Sequence, residues 1–174
     1  MLDPLLRWWL RSGRVGWSRF HRRWFERGYL KTKLPTVSSV QDIEACLGQI
    51  KWLGDGPFYL YDCISYPQTT WVKKEDDCDG FASVAAELLR QLRLSSPPVL
   101  LTSGVMPVAE SHTVCVFNTR PGELAFFDNK TLRQEGDSSY AQIAAKIAAR
   151  GKRFVCWDVK DPHTLKTLEF HKGT

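Results

Sequence analysis

The sequence predicts an α+β fold, and two observations carry that prediction. Apolar residues repeat at helical spacing through the first half of the chain, then switch to period two after Pro97-Pro98. The period-two segments that follow include a pair joined by a short turn, so at least part of the sheet is antiparallel. A third observation bounds the size. At 174 residues, 43% hydrophobic and 25% charged, the chain suits one folded domain with room for an appendage. That composition excludes wholesale disorder. No apolar run approaches the ~18–20 residues of a membrane span.

The first elements form an N-terminal arm. Asp3-Pro4 is a helix start, an N-cap acceptor followed by proline at the first helical position. Ser12-Gly13 and Gly16 predict a break between two short helices. In the second, Trp17, Phe20 and Trp24 recur on one face while Arg19, Arg22, Arg23 and Arg27 fall largely on others. Gly28 is a candidate stop, and a linker around Lys33 to Thr36 follows. Residues 1–33 hold nine Lys/Arg against two acids, Asp3 and Glu26, a net charge of +7, while the whole chain is only +5. Four of the seven tryptophans, Trp8, Trp9, Trp17 and Trp24, lie there too. The expected division is therefore a basic, Trp-rich arm and linker over 1–35 and a near-neutral domain over 36–174.

The domain opens with a capping-box pattern, Ser39 with Asp42, ahead of Val40, Ile43, Leu47 and Ile50 at helical spacing. Gly54 to Val72 is aromatic and reads as loop, with turns at Gly56-Pro57 and Tyr66-Pro67. After the acidic run Glu75-Asp76-Asp77, a second helix starts near Asp77 or Cys78 and extends to about Leu94. Strands are expected over Val99–Val105, His112–Phe117, Glu123–Asp128 and Phe154–Val159, with a hairpin turn at Thr119–Gly122. Ser138/Ser139 caps an alanine-rich helix that runs to Gly151.

The chemistry concentrates at Asp77-Cys78-Asp79-Gly80. A cysteine in the first turn of a buried helix faces free backbone N–H groups and the positive end of the helix dipole, both of which favour thiolate. His112 begins one hairpin strand and Asp128 ends its partner. A turn centred on Thr119–Gly122 places Asp128 almost opposite Thr113, close enough for a carboxylate to orient the imidazole. The other four cysteines, Cys46, Cys63, Cys115 and Cys156, form no C-x-x-C pair, which suits reduced thiols rather than a disulfide framework or a zinc ribbon. Glu75, Asp77, Asp79 and Gly80 imitate half of a calcium-binding loop, but the twelfth position is Ala86, so no metal is expected. His21, His163 and His171 read as surface histidines.

Tyr66-Pro67, Trp71, Asp77-Cys78-Asp79-Gly80-Phe81-Ala82 and Leu88-Leu89-Arg90 together resemble the nucleophile region of transglutaminase-like cysteine enzymes. The resemblance is to their small bacterial proteinase branch, and it covers about residues 39–130. It implies a papain-like core with Cys78 as nucleophile, His112 as base and Asp128 as the orienting acid. Asp76 stands where that pattern commonly has glycine, and Thr113-Val114 where a small residue and an aromatic commonly follow the histidine. The implied reaction is acyl transfer on a peptide or amide, ending in hydrolysis or in amine transfer, without a cofactor. Gln68 and Trp71 are candidates for the second oxyanion donor.

The alternative is a module with this fold but weak or no turnover, recruited by its arm into a larger assembly such as a viral particle. For the arm, docking on a protein partner through residues 1–31 or packing on its own domain ranks first. Trp8, Trp9, Trp17, Trp24, Arg19, Arg22 and Arg23 are the candidate anchors. A membrane surface or a nucleic acid ranks second. Arg7 and Arg11 interrupt any secretory signal, so a cytoplasmic location or an assembly is expected.

Overall fold

The period-two half of the chain builds a six-stranded antiparallel sheet. The structure, a computed structural model, describes residues 3–54, 63–148 and 151–173. The helices are α1 (Asp3–Trp8), α2 (Arg14–Phe25), α3 (Val40–Leu47), α4 (Pro67–Lys73), α5 (Cys78–Leu89) and α6 (Tyr140–Ile147). The strands are β1 (Lys51–Trp52), β2 (Glu75–Asp76), β3 (Val99–Met106), β4 (His112–Arg120), β5 (Glu123–Asp128), β6 (Thr131–Asp137), β7 (Arg153–Lys160) and β8 (Thr167–Lys172). The sheet order is β6-β5-β4-β3-β7-β8, and β1 and β2 form a separate parallel pair. None of the described helices is long and apolar enough to cross a membrane.

Alternation along the central strands divides the core in two. Leu100, Cys115, Phe117, Ala125 and Phe127 face α5 and α3, while Leu101, Val114, Val116, Phe126, Trp157 and Val159 face α6. Helix α5 is buried from Asp79 to Ala86, because it packs on the sheet on one side and on α3 and α4 on the other. The capping box at Ser39 forms as the sequence predicts, with the Asp42 N–H donating to Ser39 Oγ at 3.1 Å.

Several expectations are corrected. Helix α5 ends at Leu89 rather than near Leu94, and Gln91 and Leu92 tighten into a closing turn by donating to the Leu88 and Leu89 carbonyls. Helix α6 stops at Ile147, short of Gly151. Part of the stretch read as loop is α4, which starts with Pro67 in its first turn and closes at Lys74 in the left-handed conformation. The predicted Gly56-Pro57 turn lies outside the described residues. Two strands, β6 and β8, had no period-two signal. Both are edge strands whose side chains are mostly exposed, so burial imposes no alternation on them.

The arm differs most. Gly13 and Gly16 do not break it: a π-helical turn over Trp9–Gly13 joins α1 to α2, and a 3-10 turn over Arg27–Lys31 follows. It lies against the domain. Leu6 and Leu10 pack on Val155 and Cys156 of β7, and Val15 joins the α5 core. A Cβ on Gly104 would sit 2.6 Å from Leu10 Cδ1 and 3.0 Å from Cys156 Sγ, so the glycine in β3 makes room for the arm.

Candidate active site

Cys78 is the first residue of α5 and half-buried. The turn that places it is held by acids. Asp77 is the N-cap, and its Oδ1 accepts the Asp79 N–H at 2.9 Å. Asp76 accepts the Asp77 N–H at 3.0 Å and the Thr70 hydroxyl at 2.5 Å. Burial pushes the Asp76 pKa up to about 6. Its side chain fills the space beside Gly80, where a Cβ would lie 2.2 Å from Asp76 Cγ. Asp76 and Gly80 therefore fit each other.

His112 begins β4 and Asp128 ends β5. The register runs Cys115 opposite Phe127 and Val116 opposite Phe126, so Asp128 falls level with Val114 rather than Thr113. This one-residue correction matters, because a slip of one turns a side chain to the other face. In the observed register Asp128 shares His112's face, and His112 Nε2 lies 2.7 Å from Asp128 Oδ1. Cys78 lines the same cleft as this ring, and its sulfur helps to hold the ring's proton. Burial alone would lower the His112 pKa, but the hydrogen bonds and charges of Asp128 and Cys78 outweigh it and push the pKa up to about 10. In return His112 holds Asp128 below the usual carboxylate range. Cys78, His112 and Asp128 thus form one continuous polar chain.

Cys78 and His112 open into a cleft of about 260 Å³, whose walls include Trp52, Ser111, Glu110 and Ile147. A groove of about 540 Å³ beyond it is lined by Asp128, Arg133 and Lys146 and shares Ile147. Neither oxyanion candidate lines the cleft among the described residues. Trp71 packs on the α5 core with the Lys74 ammonium over its ring, and Gln68 lines a different cavity with Arg22 and Glu87. Trp52 was missed: it lies far upstream in sequence, and the parallel pairing of Trp52 with Asp76 brings it beside the Cys78 turn.

Arg14 was missed as well. From α2 it ion-pairs with the fully buried Asp79, the residue after Cys78. Leu10 and Arg14 line a small cavity behind the thiol with Thr102, Ser111 and Thr113. Asp77, Cys78 and Asp79 each offer a ligand atom within 4.8 Å of the others, but the Arg14 guanidinium already faces the Asp79 carboxylate. The docking candidates divide. Trp8, Trp24, Arg19 and Arg23 are exposed, and Trp9 and Trp17 are half-buried. Arg22, expected as a surface anchor, is instead buried, and it donates to the Ile64 and Ser65 carbonyls at 2.8 Å.

No protein-family model matches the sequence, and no curated protein does. Among solved structures, EGTA-treated Legionella pneumophila LapG is similar at 14% identity and a TM-score of 0.50, covering 80% of this chain and 70% of its own. Calcium-bound Legionella pneumophila LapG matches at 16% identity and a TM-score of 0.48, covering 70% of this chain and 66% of its own. This chain spans about two-thirds of LapG's length. At these identities the likeness concerns the fold alone, an α+β fold with an antiparallel sheet.

Proposed function

We propose that this protein carries out cysteine-dependent acyl transfer on peptide or amide carbonyls. The carrying observation is the chain from Cys78 through His112 to Asp128, with 2.7 Å between the imidazole and the carboxylate. Asp128 engages Nε2, which leaves Nδ1 for the thiol. A proton held on His112 at neutral pH puts a cation beside the sulfur at the start of α5. In the reaction, sulfur attacks the carbonyl carbon and the oxyanion accepts the Cys78 backbone N–H. His112 gives its proton to the departing amine as the C–N bond breaks, leaving a thioester. Water or a second amine, giving its proton to His112, then releases the acyl group. The water route is peptidase or amidase chemistry, and the amine route is transglutaminase chemistry.

Alkylation tests the nucleophile without knowledge of the substrate. The competing thiols are poor: burial pushes Cys46 and Cys115 up, and Cys156 up to about 11. Iodoacetamide near pH 6.5 should therefore modify Cys78 first, and His112→Ala should slow that modification by about tenfold or more. Equal labelling of Cys78 and the half-buried Cys63, or no effect of His112→Ala, would overturn the proposal in favour of the inactive module.

A further inference from the structure

Helix α2 is packed with its polar side inward. Counted in fours along the arm, Leu6, Leu10, Arg14, Ser18, Arg22 and Glu26 are all buried, and from Arg14 onward this row is polar. Each polar member has a partner in the domain. Arg14 has Asp79, Ser18 Oγ accepts the Ile64 N–H at 3.0 Å, and Arg22 holds the Ile64 and Ser65 carbonyls. Glu26 accepts the Tyr66 N–H at 2.7 Å. The aromatic side is left outside. Phe20, Trp24 and Phe25 are 47%, 67% and 66% exposed. With Trp17 they form a continuous cluster, with ring centroids 5.8 Å (Trp17–Phe20), 6.2 Å (Phe20–Trp24) and 6.3 Å (Phe20–Phe25) apart. Farther along the arm, Leu5 and Trp8 are also exposed, beside an apolar groove completed by Trp9, Met106 and Val108.

Charge decides what such a face fits. Arg23, Arg27, Lys31 and Lys33 are exposed, and none ion-pairs with an acid among the described residues. The arm's two acids are both engaged: Asp3 pairs with Arg153, and Glu26 is buried. The outer face is therefore aromatic and cationic, with no unpaired carboxylate of its own. A second copy of the chain would set like charges against each other. A nucleic acid strand needs separate ring faces for its bases, whereas these rings pack on one another. Exposed aromatics beside unpaired cations suit the headgroup layer of an anionic bilayer, where rings reach the acyl boundary and cations meet lipid phosphates. We infer that the outer face of α2 and the turn after it docks the protein on an anionic membrane surface, lying in the interface without spanning it.

Sedimentation of the full chain with vesicles tests this. Vesicles of phosphatidylcholine containing phosphatidylglycerol should bind at least about tenfold more tightly than phosphatidylcholine alone, and added salt should weaken binding. Two double variants, Trp24→Ser with Phe25→Ser and Arg23→Glu with Arg27→Glu, alter only exposed side chains. Each should keep the wild-type melting temperature and lose about tenfold in vesicle affinity. Three vesicle results would overturn the inference: no binding to either vesicle, equal binding to both, or wild-type binding by the aromatic variant. Self-association abolished by the aromatic variant would reassign the face to a second copy, and single-stranded RNA binding lost with the arginines would reassign it to nucleic acid. Either result would also overturn it.

Discussion

Asp79 sits beside the reacting sulfur, fully buried, and its countercharge reaches it from another part of the chain. Removing one partner of a buried ion pair leaves the other charge stranded, at a cost of about 3–5 kcal/mol. Arg14→Ala should lower stability in urea by about that much, and Arg14→Lys, which keeps the charge, by less. His112 sets a pH dependence of its own. Its folded pKa of about 10 lies above the 6.5 of an unperturbed imidazole, so its contribution is full below about pH 6.5 and is lost as the pH rises to about 10. Urea titrations across that window should show the slope, and His112→Ala should flatten it. Asp76 titrates lower. Its pKa rises from 3.8 to about 6 on folding, so the folded state binds the extra proton and stability falls as the pH rises between those values. Asp76→Asn should remove that component. The residue types of the candidate site were legible in the sequence, because a cysteine at a helix start and a His–Asp pair on a hairpin leave local signals. Arg14 and Trp52 leave none, since their neighbours lie far away in the chain.

Helix α5 carries the nucleophile, and its first turn tolerates little change. Gly80→Ala forces its Cβ onto Asp76, so the turn must shift; slower alkylation of Cys78 and a lower melting temperature are expected. Gly16→Ala is the contrasting case. Gly16 is exposed in α2 with nothing near the site of a new Cβ, so alanine should stabilise by about 0.5–1 kcal/mol through helix propensity alone. The same contrast explains which elements could be read in advance. The four inner strands and the capped helices α3, α5 and α6 announce themselves through burial or capping. Strands β6 and β8 bury little, and α4 is rich in β-branched residues, so their pairing and packing decide what propensity does not.

At the scale of the molecule, the arm is part of the core rather than a tail. It contributes Leu6, Leu10 and Val15 to buried clusters and Arg14, Ser18, Arg22 and Glu26 to buried polar contacts. Deleting residues 1–31 should abolish the cooperative thermal transition, because it strands Asp79 and opens the face of β7. A truncated chain that melts as sharply as the full one would show that the arm is dispensable. The sequence by itself determined the fold class, the position of Cys78 at a helix start, and the +7 charge of the arm, because periodicity, capping and charge are properties of neighbouring residues. Only the tertiary structure decided which side of α2 turns inward. The helix alternates a polar and an aromatic side, and local hydrophobicity favours burying the rings. The ion pair and hydrogen bonds offered by Asp79, Ile64, Ser65 and Tyr66 satisfy the polar side instead, and those partners meet the arm only when the chain has folded.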